Sequence, residues 1–146
     1  MKINFIKSNL SRINHYVELY RRCFSNFPVN RNEIYFDWLY NKNPLGKYIG
    51  IDVFDSEKKI LIGQAGGIPA QFNYCGENIK VMQAVQVCVD SNYRGKGIFF
   101  KLLKMLEQYA VEEKYSMIVG VSNKMATTGW QKSISMNLLC QLEKIL

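Results

Sequence analysis

An apolar segment leads directly into a glycine-containing turn and then into a long amphipathic segment between residues 85 and 115. Residues 85–89 read V-Q-V-C-V, which is typical of a buried strand, and the turn that follows reads N-Y-R-G-K-G. From Gly97 to about Tyr115 the apolar residues recur at helical spacing. Such a unit needs a sheet with a helix packed on its face, so the sequence predicts an α/β (α+β) fold.

Two further helices are predicted near the N-terminus. From about residue 8 to Phe24 the apolar residues fall on one face of a helix. A second helix is expected to begin near Asn30, because Asn30 and Glu33 resemble a capping box. It should end before Pro44, since a proline disfavours helical geometry in the preceding residue.

The middle of the chain predicts antiparallel hairpins, and its end predicts a β–α–β–α order. Gly66, Gly67 and Pro69 are expected to interrupt or bend one strand. The predicted strands lie at residues 2–7, 48–54, 60–65, 71–74, 79–90 and 116–121, with a short helix at 123–132 and a strand or extended end at 134–146.

Composition favours a globular protein with an anionic partner. The chain has 146 residues, which suits a single domain over residues 1–146. Lys and Arg number 19 against 12 Asp and Glu, a net charge of +7. Such a surplus suits nucleic acid, a membrane surface or a phosphorylated small molecule. Because no Lys/Arg-rich run is present, we expect neither nucleic acid nor a membrane as the main partner.

The cysteines and the N-terminus point to a cytoplasmic protein without a metal. The four cysteines form no C-x-x-C pair and His15 is the single histidine, so we expect no metal site. Isolated cysteines in apolar surroundings are typical of reduced core residues. The N-terminus lacks the apolar region of a signal peptide, and no apolar run approaches the roughly 20 residues that span a bilayer.

The turn at residues 92–97 predicts an anion site. Gly95 and Gly97 let backbone N–H groups converge without obstruction from side chains. The unpaired N–H groups and the dipole of the following helix favour negative charge at the same place. Arg94 and Lys96 add formal positive charge. The site therefore suits a pyrophosphate.

Two better-known phosphate-binding loops do not match. A dinucleotide fingerprint needs a third glycine where this chain has Phe100. A P-loop needs Gly-Lys-Ser/Thr after its spacer, whereas Gly97 is followed by Ile98 and Phe99.

Residues 87–99 resemble motif A of the GCN5-related N-acetyltransferases, the GNAT superfamily, and the R-G-K-G-I-F segment is its specific part. Residues 118–126 are similar to the family's next strand and helix start, and residues 20–24 and 38–46 resemble a group of bacterial acetyltransferases, some linked to surface-polysaccharide genes. The resemblance implies a mixed, mostly antiparallel central sheet flanked by helices. It also implies a set of residues that bind acetyl-CoA: Val87, Cys88, Val89, Arg94, Gly95, Lys96, Gly97, Ile98, Phe99 and Asn123.

The chain departs from the family pattern at three places. Asn92 stands where the family motif has Gln or Arg, and Trp130 stands where a tyrosine often serves as general acid. Trp130 is better interpreted as a core aromatic residue. The family's last paired strands would begin about where the chain ends at Leu146, so we expect a minimal member of the family, or strands that are truncated or supplied by another chain.

The resemblance implies acetyl transfer to a primary amine by direct attack in a ternary complex. A small-molecule acceptor is expected, with an amino sugar or a surface-polysaccharide precursor as candidates, and a homodimer is compatible with this interpretation. No catalytic residue can be assigned. Gln86 cannot act as a base, Cys88 and His15 are better interpreted as structural, and Asp90 could cap the loop. Two alternatives remain: a CoA-binding domain without turnover, and a basic nucleic-acid-binding module.

Overall fold

Five strands form a single sheet in the part of the chain that the structure, a computed structural model, describes, namely residues 2–134 and 136–140. The strands are β1 (Ile3–Lys7), β2 (Ile49–Asp55), β3 (Ile60–Tyr74), β4 (Glu77–Val89) and β5 (Met117–Val119). The helices are α1 (Ile13–Cys23), α2 (Glu33–Asn41), α3 (Ile98–Glu112) and α4 (Lys124–Ile134).

The strands lie in the sheet in chain order, β1 to β5. The first four pair antiparallel, and β5 pairs parallel to β4. The parallel pair follows from α3, which carries the chain from one end of the sheet back to the other. This mixed, mostly antiparallel sheet with flanking helices confirms the predicted fold class.

Each face of the sheet buries its own core. On one face, α3 and α4 pack against sheet residues that include Val53 and Met82, and Trp130 of α4 belongs to this core. On the other face, α1 and α2 bury a group dominated by tyrosine and phenylalanine. We call the second group the aromatic core; it consists of Ile13, Tyr16, Val17, Leu19, Tyr20, Phe36, Tyr40, Tyr48, Leu61 and Cys88.

A buried carboxylate ties the N-terminal segment to the sheet beneath the aromatic core. Asp52 is fully buried and accepts hydrogen bonds from Ser8 Oγ at 2.6 Å and Arg12 Nη1 at 3.1 Å. The Tyr16 hydroxyl and Gln64 Nε2 donate to it as well, at 3.0 and 3.1 Å. A buried charge is tolerated only when it is paired and hydrogen-bonded in this way.

The helix boundaries differ from the predictions at their N-terminal ends. A 3-10 turn over Leu10–Arg12 precedes α1, so the regular helix begins later than expected. The cap of α2 is Asn32, whose Oδ1 accepts from the backbone N–H of Ile34 and of Tyr35. The prediction of Asn30 as the cap was wrong, because an Asx cap needs its side chain next to the first turn.

Strand β3 runs without a break through the glycines and the proline that were expected to interrupt it. Gly66 must be glycine because a Cβ there would lie 2.2 Å from the Tyr48 hydroxyl oxygen. The carbonyl oxygen of Pro69 accepts a hydrogen bond from Asn43 Nδ2 at 3.2 Å, so it faces a segment outside the sheet. In a strand, the N–H and C=O groups of one residue point to the same edge. The N–H that Pro69 lacks would therefore point to the same edge as its carbonyl oxygen, so the sheet can accept the proline there.

The end of the chain is only partly described. The prediction of a strand or extended end began at Ile134, but this residue closes α4. Residues 136–140 carry no regular secondary structure, and residues 141–146 lie outside the described part. Across the described ranges, no helix is long and apolar enough to cross a membrane.

Candidate functional site

Strands β4 and β5 separate halfway along the sheet. Their last pairing is Gln83 with Val119, whereas β4 continues to Val89. Residues 84–87 are half-buried, although they lie in the middle of the fold. Beyond Gln83 the β5-side edge of β4 therefore has no paired strand among the described residues, and its backbone can receive a ligand.

A β-bulge lies at this exposed stretch of β4. Gln64 pairs with Cys88 and Gly66 pairs with Val85, so two β4 residues oppose Ala65. One of these two residues, Gln86, has a backbone φ of 47°, which residues other than glycine rarely adopt. A bulge turns backbone groups out of the ladder and is frequent next to active sites. The bulge could not be predicted from the sequence, because V-Q-V-C-V also fits a regular strand.

The turn after β4 holds its shape through a short 3-10 segment and two left-handed glycines. Ser91–Tyr93 form the 3-10 turn, which Asp90 caps by accepting the Asn92 N–H on Oδ1 at 3.0 Å. Gly95 and Gly97 have φ of 76° and 70°, and a Cβ on either would meet nothing within 4 Å. The loop therefore borders open space, and α3 begins directly behind it.

A cavity of about 350 Å³ lies where this loop, the first turn of α3 and one face of α4 meet. Its walls combine the backbone of the loop with apolar side chains and a lysine. The lining residues are Val89, Tyr93, Arg94, Gly95, Gly97, Ile98, Phe99, Phe100, Met125, Thr128, Gly129, Lys132 and Ser133.

Most of the predicted cofactor residues lie at this cavity. Six of them line it: Val89, Arg94, Gly95, Gly97, Ile98 and Phe99.

The remaining predicted residues lie around the cavity rather than in its wall. The Lys96 ammonium lies 5.3 Å from the centre of the Tyr93 ring. Val87 is half-buried at the bulge, while the Cys88 side chain belongs to the aromatic core. Asn123 uses its Oδ1 to accept the Ala126 N–H at 2.8 Å and thereby caps α4.

Helix α4 contributes a cavity wall that the sequence analysis did not identify. Met125, Thr128, Gly129 and Lys132 recur at i, i+3, i+4 and i+7, the spacing of one helix face. The spacing was visible in the sequence, but these residues are too mixed in polarity to mark a buried face. Lys132 adds a cation to this wall.

Gly129 allows α4 to approach the first turn of α3. A Cβ on Gly129 would lie 2.5 Å from Cε1 of the Phe99 ring. In an open helix, replacing glycine by alanine is favourable by about 1 kcal/mol. Here we expect Gly129→Ala to lower the free energy of unfolding by about 1–3 kcal/mol, because the ring must move. Chemical denaturation measures this loss of stability. Adding Phe99→Leu to the Gly129→Ala chain should restore part of it, and an increase in stability in Gly129→Ala alone would contradict the close packing of Gly129 on Phe99.

Among the residues that the structure describes, no exposed nucleophile or base has been found at the bulge in β4. Burial raises the pKa of the Cys88 thiol, and a hydrogen bond with Cys88 lowers the pKa of Cys23.

His15 lies on α1 and its Nδ1 contacts the Asn14 side-chain oxygen at 2.9 Å. Trp130 is buried against α3, as its interpretation as a core residue predicts. Within the described ranges no three Cys, His, Asp or Glu side chains cluster as metal ligands would.

Replacing the Cys88 thiol should affect stability and not chemistry. We expect Cys88→Ala to lower the free energy of unfolding by about 1–2 kcal/mol, because it leaves a small void in the aromatic core. Because burial raises the pKa of this thiol, it should be unreactive, and the substitution should remove no chemistry from the site. Thermal denaturation measures the loss of stability; a loss of acetyl transfer beyond the loss of folded protein would assign the thiol a catalytic role.

Comparison with known proteins identifies the family of the chain. The sequence profile described as "Acetyltransferase (GNAT) domain" matches residues 4–129. No curated protein sequence matches the chain. The chain belongs to the GNAT acetyltransferase family, and its family and fold support acyl transfer as the class of reaction.

Solved structures of acetyltransferases share the fold. A predicted acetyltransferase from Clostridium acetobutylicum, solved with acetyl-CoA, is 19% identical, with a TM-score of 0.75 over 99% of this chain and 96% of that one. Glucosamine-6-phosphate N-acetyltransferase from Arabidopsis thaliana is 13% identical, with a TM-score of 0.74 over 99% of both chains. An aminoglycoside acetyltransferase from an uncultured soil metagenomic sample, solved with sisomicin, is 14% identical, with a TM-score of 0.71 over 99% of this chain and 96% of that one.

Proposed function

We propose that the chain is an acetyl-CoA-dependent N-acetyltransferase that acts on a primary amine by direct attack in a ternary complex. The observation that carries the proposal is the 350 Å³ cavity between the glycine loop and α4. The cavity lies at the C-terminal end of β4, beyond the point where β5 stops pairing with it. One ligand could therefore contact both the loop and the unpaired backbone of β4.

The phosphates of CoA suit the wall of this cavity. Gly95 and Gly97 leave open space where any other residue would place a Cβ, so phosphate oxygens can approach the backbone N–H groups. The first turn of α3 offers unpaired N–H groups at the same place. Arg94 and Lys132 both line the cavity and supply positive charge. The residues present therefore fit the pyrophosphate.

The bulge in β4 suits the reacting end of the donor. Acetyl-CoA supplies a thioester whose acetyl group is transferred to an amine. Negative charge develops on the thioester oxygen during attack, and a backbone N–H in residues 87–89 would stabilise it. The left-handed Gln86 turns the backbone at this place, which gives a physical route to an N–H outside the ladder.

We propose no catalytic side chain. The carboxylate of Asp90, the acid nearest the end of β4, is bound to Arg22 Nε at 2.9 Å and to the Asn92 N–H. Holding donor and amine together removes much of the barrier to attack without a dedicated base. A water would then accept a proton from the bound ammonium before the neutral amine attacks, and the CoA thiolate that leaves would take up a proton from the solvent.

The acceptor is proposed to be a small molecule with a primary amine, of the amino-sugar class. The structural neighbours named for glucosamine 6-phosphate and aminoglycosides support this class. On the α1 and α2 face, Phe24, Phe27 and Tyr35 are half-buried beside the aromatic core, and such rings pack well against sugar faces. Phe36, another aromatic residue of this region, is fully buried and serves packing alone.

A CoA-binding protein without turnover is the second candidate. This candidate is favoured by Trp130, which is buried in the core at the position where the family often has a tyrosine as general acid. In both cases we place the protein in the cytoplasm, where acetyl-CoA is available and its four free cysteines stay reduced.

A thiol-release assay separates the candidates. The wild-type protein is mixed with acetyl-CoA and a panel of amines that includes glucosamine, glucosamine 6-phosphate and an aminoglycoside, and free thiol is followed over time. Release that depends on one amine supports the proposed enzyme. CoA binding by calorimetry without release over the whole panel supports the second candidate, and no CoA binding at all contradicts both.

A further inference from the structure

The loop that borders the cavity is tied to α1 by a residue outside the cavity. Asp90 is 4% exposed, and its two carboxylate oxygens serve different partners. Oδ1 accepts the Asn92 N–H at 3.0 Å and so shapes the 3-10 turn, while Oδ2 accepts from Arg22 Nε at 2.9 Å. One carboxylate therefore links the loop to the last turn of α1.

The Arg22 guanidinium is held at two points. Besides its bond to Asp90, its Nη2 donates to the carbonyl oxygen of Leu61 in β3 at 2.6 Å. A planar guanidinium can serve two acceptors at fixed angles, which an ammonium cannot do. Arg22 does not line the 350 Å³ cavity; it lines a smaller one of about 140 Å³ with His15 and Glu18. It therefore cannot act on a ligand in the larger cavity by direct contact.

We propose that Arg22 is a positioning residue for CoA, acting through Asp90 on the loop that receives the phosphates. This inference rests on the proposed function. The loop contains two glycines, which are the most flexible residues, so its N–H groups converge only if its ends are fixed. Its start is fixed by Asp90, and Tyr93 adds a second anchor by donating its hydroxyl to Asp55 Oδ2 at 2.8 Å. Without Arg22 the buried carboxylate loses its cation and the turn loosens, while the Tyr93 anchor keeps the loop in place overall.

Two substitutions on α1 separate geometry from charge. Arg22→Lys keeps the charge but cannot serve both acceptors, and Arg21→Ala removes a charge from the exposed neighbouring residue without touching the loop. We expect Arg22→Ala to raise the Kd for CoA about tenfold, as loss of a charge-assisted hydrogen bond allows. Arg22→Lys should recover little of this, and Arg21→Ala should leave the Kd within about twofold, since exposed charges are screened.

Calorimetry with CoA and amide hydrogen exchange test the inference together. In the Asp90→Asn background, Arg22→Ala should change the Kd no further, because its effect passes through that carboxylate. In the ligand-free protein, Arg22→Ala should speed exchange at the amides of Asn92 and Tyr93 and leave β1–β3 unchanged. The inference would be overturned if Arg22→Ala changed neither the CoA affinity nor the exchange rates. It would also be overturned if Arg21→Ala weakened CoA binding as much as Arg22→Ala does, or if the effects of Arg22→Ala and Asp90→Asn on the Kd were additive. If the wild type binds no CoA, the proposed function fails, while exchange in the ligand-free protein still tests the tie.

Discussion

Gly97→Glu is expected to raise the Kd for CoA at least about 100-fold, because it places a carboxylate and its side chain in an anion site. Gly97 has a φ of 70° and open space around a built Cβ, so the new side chain enters the cavity region rather than the core. Repulsion between the carboxylate and the phosphates of CoA adds to the steric block. Isothermal calorimetry with CoA measures the effect.

Gly76→Glu is the matched control for this substitution. Gly76 also has a left-handed φ, of 86°, and open space around its Cβ, but it lies in the turn between β3 and β4, away from the cavity. Both variants place a glutamate at a left-handed φ and make the same change in charge. We expect Gly76→Glu to keep the wild-type Kd within about threefold, because exposed charges are screened over such distances. Equal Kd values for the two variants would remove the loop from the account.

Asp52→Ala is expected to lower the free energy of unfolding by about 3 kcal/mol or more, which is the usual cost of breaking a buried ion pair. Asp52 is fully buried, and its loss leaves the Arg12 guanidinium without its carboxylate. It also leaves the Tyr16 hydroxyl and Gln64 Nε2 without their shared acceptor. Small domains are stable by only about 5–15 kcal/mol, so the variant should be visibly destabilised at room temperature.

Asp37→Ala controls for the removal of a carboxylate as such. Asp37 pairs with Lys42 at 3.1 Å on the surface of α2, where both side chains are exposed to solvent. A surface pair of this kind contributes little to stability. Urea denaturation should therefore show a large shift in midpoint for Asp52→Ala and a small one for Asp37→Ala. Similar shifts for both would contradict the structural importance of the buried network.

The sequence predicted the order of the elements because the hydrophobic period changes at each boundary. The long helix after residue 97 and the hairpins were visible in this way, as was the glycine turn. The cap of α2 was misassigned because Asn30 and Asn32 are both good cap residues, and only packing selects one of them. In β3 the carbonyl oxygen of Pro69 is bound by Asn43, a partner 26 residues away, which local rules do not include.

The candidate site was predicted in part for a similar reason. The glycine loop is local in sequence, so its residues and its anion chemistry could be inferred directly. The contributions of α4 and of Arg22 depend on contacts between distant segments, as does the bulge at Gln86, which pairing with β3 defines. A regular alternation of residues does not show where a strand carries an extra residue.

The amide-exchange footprint of bound acetyl-CoA tests the central claim most directly. The wild-type protein is exchanged in deuterated buffer with and without saturating acetyl-CoA, and protection is assigned to segments of the chain. We predict protection in residues 84–99 and on α4 between Met125 and Ser133, with little change in β1 and β2. Protection confined to other segments, or none at a concentration that saturates binding, would contradict the placement of the donor in this cavity.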